Sequence, residues 1–235
     1  MKNNTFLIAI LLVFGLAVLT VIYSQNKKTS QVLPVNETIP QNKEQISGST
    51  ENVPSEKQAN IKYIYPMDKY DERVKIRWYG KYVDSSDRQN IPCGETFIGY
   101  HTGDDLEVFP EEIEKDVPVK AIAAGKVRMV STVNGYGGLM VIEYDLEGQV
   151  ATVYYGHIGI GTAKFAVNDE VNTGDEIALL GKTCSTQTDG ERKHLHFSIH
   201  KGSELNVRGY VSSQNQLAGW LNPKETLSEL VNKNP

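Results

Sequence analysis

Five histidines stand in this chain, at positions 101, 157, 194, 196 and 200, and their surroundings differ in informative ways. In His194-Leu195-His196-Phe197-Ser198-Ile199-His200 polar and apolar residues alternate strictly. On a strand, His194, His196, Ser198 and His200 share one face, and Leu195, Phe197 and Ile199 enter a core on the other. Two imidazoles so placed can serve one site, one as a metal ligand and its neighbour as a supporting or catalytic group. A polar outer face that happens to carry histidine gives the same pattern. His200, at the end of the run, reads as a strand residue near solvent. The segment His101-Thr102-Gly103-Asp104-Asp105 sets an imidazole and a carboxylate four apart across a glycine, the nitrogen and oxygen mixture that zinc accepts. Alone it also reads as a turn in which an aspartate bonds its own backbone. Tyr154-Tyr155-Gly156-His157 ends an apolar strand with a histidine where a loop-mouth side chain would lie. Together these pieces supply three ligands and two spare imidazoles.

The elements that must position them read as strands: Val117 to Ala123, Lys126 to Val133, Leu139 to Tyr144, Val150 to Tyr155 and Glu176 to Leu180. Glycine-bearing turns separate them, at Asn134 to Gly138 and Asp145 to Gly148, with the spacing of hairpins rather than helical crossovers. The fold class that follows is mainly β, an antiparallel sheet or partly open barrel. A short C-terminal helix is signalled by Asn222 as cap, Pro223 at the first helical position and Glu225 as capping-box partner.

Composition limits the setting. A net charge of −5 provides no basic field to attract nucleic acid. Phe6 to Tyr23 is an uncharged apolar run, at the lower end of what a helix needs to cross roughly 30 Å of hydrocarbon. It runs on without a small-x-small cleavage pattern, so it reads as an uncleaved transmembrane anchor. Residues 24–60 are polar and Pro-bearing, without aromatics apart from the flanking anchor, and read as a flexible linker. The folded domain is expected over 61–235. The two cysteines, Cys93 and Cys184, suit either one disulfide in an oxidising compartment or two unrelated thiols, and exclude a cysteine-rich zinc cluster.

With those stretches laid out, the sequence resembles the lysostaphin-like, or LytM-type, zinc metalloendopeptidases. Their pattern is H-x-G-x-D, a tyrosine-rich strand ending in histidine, G-x-V-x-x-G-x-x-I-x-x-x-G, and H-L-H-F. Here the stretches read HTGDD at 101–105, VYYGHIG at 153–159, NDEVNTGDEIALLGKT at 168–183 and HLHFSIH at 194–200. The resemblance implies a duplicated-hybrid-motif type of β architecture, His101, Asp105 and His196 as zinc ligands, and His157 and His194 as catalytic histidines. Gly138 departs from the pattern, standing where the family usually has asparagine. The loop from Lys182 to Lys193 is longer and more charged than the family's usual Gly/Ser/Thr-rich link, which bears on substrate preference.

The activity implied is hydrolysis of peptide bonds in bacterial peptidoglycan, outside the cytoplasm, with the domain held to the membrane by the N-terminal helix. No H-E-x-x-H glutamate is present, so the histidine pair must handle the proton. A linker of this length would let the domain search a radius of roughly 30 to 40 Å. Two alternatives stand beside this: a catalytically silent relative acting as activator or scaffold, and a carrier module of biotinyl type. The second lacks a lysine displayed at a hairpin tip.

Overall fold

A computed structural model of the chain describes residues 61–88, 93 and 97–234, all within one compact unit, Glu56–Pro235. The apolar run at 6–23 and the linker at 24–60 lie outside the described residues. Among the described residues no helix is long and apolar enough to cross a membrane.

The strands in chain order are β1 (Tyr82–Val83), β2 (Gly99–His101), β3 (Gly103–Glu107), β4 (Pro118–Lys120), β5 (Gly125–Val133), β6 (Gly137–Leu146), β7 (Gln149–Gly156), β8 (Glu170–Val171), β9 (Glu176–Leu179), β10 (His194–Lys201), β11 (Tyr210–Val211) and β12 (Trp220–Leu221). The helices are α1 (Tyr70–Arg73) and α2 (Pro223–Val231). The main sheet runs β12-β10-β7-β6-β5-β8, with β3 also paired to β10, and β1-β2-β11 and β4-β9 form two smaller sheets. Every strand pairing among the described residues is antiparallel. The expected strands are present, and the sheet does not close into a barrel: β8, only two residues long, ends the order opposite β12.

Local sequence explains the long hairpin. Glu147 and Gly148 both take positive φ between Leu146 and its register partner Gln149, the geometry of a primed two-residue turn that matches strand twist. Asn222 caps α2, its side chain accepting from the Glu225 backbone N–H, and Pro223 occupies the first turn. The helix packs Leu227 and Leu230 into the core.

The core explains why β10 is buried on both faces. Leu195, Phe197 and Ile199 enter the larger apolar cluster with Leu106, Val153 and Tyr155. Tyr136, Leu139, Val141, Tyr154 and Trp220 form a smaller cluster on the other side of the sheet. Strict alternation therefore did not mean one wet face. His200, expected near solvent, is buried instead, its ring edge-on to Trp220 at 4.7 Å. Burial of a residue such as Phe197 contributes about 1.5–3 kcal/mol.

Candidate active site

Pairing register brings the site together. On β10, His196 lies opposite Asp105 of β3 on one side and Gly156 of β7 on the other, one residue before His157. Gly103 is needed for this approach, because a Cβ there would overlap the Phe197 carbonyl oxygen. The short step from β2 into β3 then returns His101 to the same spot.

There, His101 Nε2 and His196 Nδ1 are 2.9 Å apart, and each is 3.2 Å from Asp105 Oδ1. All three residues are buried. The donor set can be tested against zinc. Nitrogen and oxygen ligands at about 2.0–2.1 Å around a tetrahedral ion stand about 3.3–3.4 Å from one another, and this triangle of two imidazole nitrogens and one carboxylate oxygen fits with little adjustment. The charge states fit as well. Burial alone would raise the Asp105 carboxyl, but the facing His194 and His101 hold it well below the usual range. Burial outweighs Asp105's pull on His196 and pushes that imidazole down to about 4. An ionised carboxylate and a neutral imidazole are the forms that bind metal.

His157 and His194 stand beside this triangle, their ring centroids 4.3 Å apart. His157 has φ of 62°, a left-handed conformation uncommon outside glycine and concentrated at functional sites. Its backbone is fixed from both directions: its N–H donates to the Tyr136 carbonyl at 3.1 Å, and its carbonyl accepts from Gly181 at 2.8 Å. Burial, reinforced by the neighbouring His194 and His196, drives its pKa well down, so the ring is neutral. For His194, burial and the Arg192 cation push downward, but Asp105 and Glu107 outweigh them and the net shift is upward. His194 Nδ1 is 2.9 Å from the Arg192 carbonyl, which can only accept, so this nitrogen carries a proton and Nε2 faces Asp105 Oδ2 at 3.3 Å.

Thus the structure brings together all five residues singled out from the sequence. Three others were missed. Tyr136 lines the cleft with a buried hydroxyl that has no hydrogen-bond partner among the described residues, and burial pushes its phenol upward so that it stays protonated. The GYG stretch held the signal, read there only as a turn. Glu191 and Arg192 come from the charged loop and are both buried. Glu191, with His157 and His194, forms a second group whose donor atoms lie within 4.8 Å of one another. The cleft they line has a volume of about 210 Å³ and includes Phe97, Arg208 and Tyr210 on its walls.

Cys93 and Cys184 form a disulfide, with Cα atoms 5.5 Å apart. The bridge ties the loop before β10 to the segment preceding β2. Cys184 N–H donates to the Glu191 carbonyl at 2.7 Å, so the bridged loop also fixes the backbone at Glu191. Gly138 lies on β6 itself, where a Cβ would overlap the Ile158 carbonyl oxygen. Its departure from the usual asparagine therefore concerns strand packing beneath His157 and not the turn.

Residues 99–207 match the model of peptidase family M23. This bears out the resemblance to lysostaphin-like and LytM-type enzymes. A curated relative, Endolysin 2638A of Staphylococcus phage 2638A, is 32% identical over 146 residues, 61% of this chain and 27% of its own length. An uncharacterized protein of Haemophilus influenzae is 35% identical over 95 residues, 40% of this chain and 21% of its own. The chain thus spans about a quarter of the length of these relatives. Among solved structures, that of LytU is 26% identical and covers 66% of this chain and 90% of its own, with a TM-score of 0.42. A SpoIIQ–SpoIIIAH pore-forming complex contains a chain 17% identical, covering 74% of this one and 99% of its own, with a TM-score of 0.45.

Proposed function

We propose that this protein is a zinc-dependent endopeptidase that hydrolyses peptide bonds of bacterial peptidoglycan outside the cytoplasm. The observation that carries the reading is the convergence of His101, Asp105 and His196 on one point, with His157 and His194 beside it in an accessible cleft. Two imidazoles and one carboxylate would hold zinc and leave a coordination position open, the arrangement of catalytic rather than structural sites. When bound, zinc supplies Lewis acidity toward a carbonyl and toward water.

The remaining steps belong to the protein. Neutral His157 accepts a proton from the attacking water as general base. His194 keeps its Nδ1 proton on the Arg192 carbonyl and, in the imidazolium form that its raised pKa favours, gives its Nε2 proton to the leaving amine, the proton taken up by His157 balancing the one released. The unpartnered Tyr136 hydroxyl is a donor available to the oxyanion of a tetrahedral intermediate. No helical glutamate is needed for this chemistry. The match to a phage endolysin supports wall peptide as the substrate. The apolar run at 6–23 fits a single-pass membrane anchor that would hold the domain on the outer side, where that substrate lies.

Digestion of purified peptidoglycan with the protein, followed by mass identification of the fragments, tests the proposal. New amino termini that disappear on chelation are the expected result. Bound zinc without any wall cleavage would instead assign the protein to the silent, scaffold type.

A further inference from the structure

We propose that Arg192 is a positioning residue for Asp105 and His194, setting how the first presents its carboxylate and how the second presents its ring; this rests on the metal-site reading above. Alternation along β3 puts Asp105 and Glu107 on the same face, two residues apart, so one strand offers two carboxylates side by side. Arg192 spans both. Its Nε donates to Glu107 Oε1 and Oε2 at 3.1 and 3.0 Å, and its Nη2 donates to Glu107 Oε1 and to Asp105 Oδ2, both at 2.7 Å. Glu191 lies 3.6 Å from Nη1. A planar fork suits this geometry, which an ammonium could not reproduce in full.

The consequence lies in how the Asp105 carboxylate is divided. Oδ1 faces His101 and His196, and Oδ2 is engaged by Arg192 at 2.7 Å and faced by His194 Nε2 at 3.3 Å. The guanidinium thereby fixes the carboxylate's rotation and keeps its second oxygen from turning onto the same ion. Through its backbone the same residue accepts the His194 Nδ1 proton at 2.9 Å, which fixes the ring with Nε2 facing Asp105 Oδ2 beside the cleft. Arg192 therefore connects a candidate ligand to a candidate proton carrier, from a loop whose charge the sequence marked as unusual. Partners of this kind orient ligands and commonly change metal affinity about 10–100-fold when removed.

The test uses the zinc-loaded full chain, with Arg192→Gln and Arg192→Lys compared with wild type. Zinc affinity is read by competition with a chromophoric chelator, and ligand geometry by the visible absorption band of the Co(II)-loaded forms. Arg192→Gln is expected to bind zinc about 10–100-fold more weakly and to show a weaker cobalt band as Asp105 supplies a second oxygen. Arg192→Lys keeps the charge and is expected to fall between it and wild type. Should Arg192→Gln fail to fold, Arg192→Lys decides alone: affinity and cobalt band indistinguishable from wild type would overturn the proposal. A wild-type protein that binds no zinc would remove the metal-site reading itself. Wild-type binding that both variants match would remove only the role of Arg192.

Discussion

His196 and Asp105 are register partners across β10 and β3, and their facing atoms, Nδ1 and Oδ1, are 3.2 Å apart. Hydrogen bonding of two strands thus sets side chains that are distant in sequence at the spacing of two ligands on one ion. His101 completes the triangle from the strand just before β3.

That geometry separates the histidines by role. His196→Ala and Asp105→Ala are expected to lose bound zinc, measured as metal content after dialysis, together with wall hydrolysis. His157→Ala should keep its zinc and lose about 10²–10⁴-fold in turnover, the usual range for a general base. Hydrolysis by a zinc-free His196→Ala protein would contradict the ligand assignment.

The bridge between Cys93 and Cys184 closes a long loop, with a sequence separation of 91 residues. Its removal in a Cys93→Ser, Cys184→Ser double variant should destabilise the fold by about 2–4 kcal/mol, read from the urea midpoint under non-reducing conditions. Two free thiols in native, unreduced wild-type protein would show that the bridge does not form.

Gly138 is expected to resist change. Gly138→Asn restores the residue usual in the family but puts a Cβ against the Ile158 carbonyl, beside His157. Destabilisation of about 1–3 kcal/mol and reduced hydrolysis should follow. Wild-type stability in that variant would mean that β6 has room the packing does not show.

Buried Arg73 gives a pH dependence away from the site. Its Nη1 and Nη2 donate to the two carboxylate oxygens of Glu112 at 2.7 and 2.9 Å. The Arg73 bond lowers the Glu112 pKa, so the folded value lies below the unfolded one, about 4.3. The pair's contribution is therefore fully present above the unfolded value and is lost as pH falls through the folded one. Urea unfolding from pH 7 down to 3 should show wild type losing stability in the acid range, and Glu112→Gln should start less stable with a shallower loss. Parallel curves for the two proteins would contradict this linkage.

By itself the sequence determined the elements with local causes: five strands marked by β-branched and aromatic runs, the turn at Glu147-Gly148, and the Asn222 cap. Its residue types and spacings also pointed to His101, Asp105, His157, His194 and His196, and the resemblance to the lysostaphin-like enzymes supplied the choice of Asp105 over Asp104 and the division into ligands and catalytic histidines. Only the tertiary structure decided that their atoms meet, since the pairing of β3, β7 and β10 joins segments about 40 to 95 residues apart. It also decided that Cys93 reaches Cys184, that both faces of β10 are covered so that His200 is buried, and that the sheet stays open. Arg192, Glu191 and Tyr136 belong with these: a loop or turn residue carries no periodic signal, and what it does depends on the side chains that packing sets opposite it.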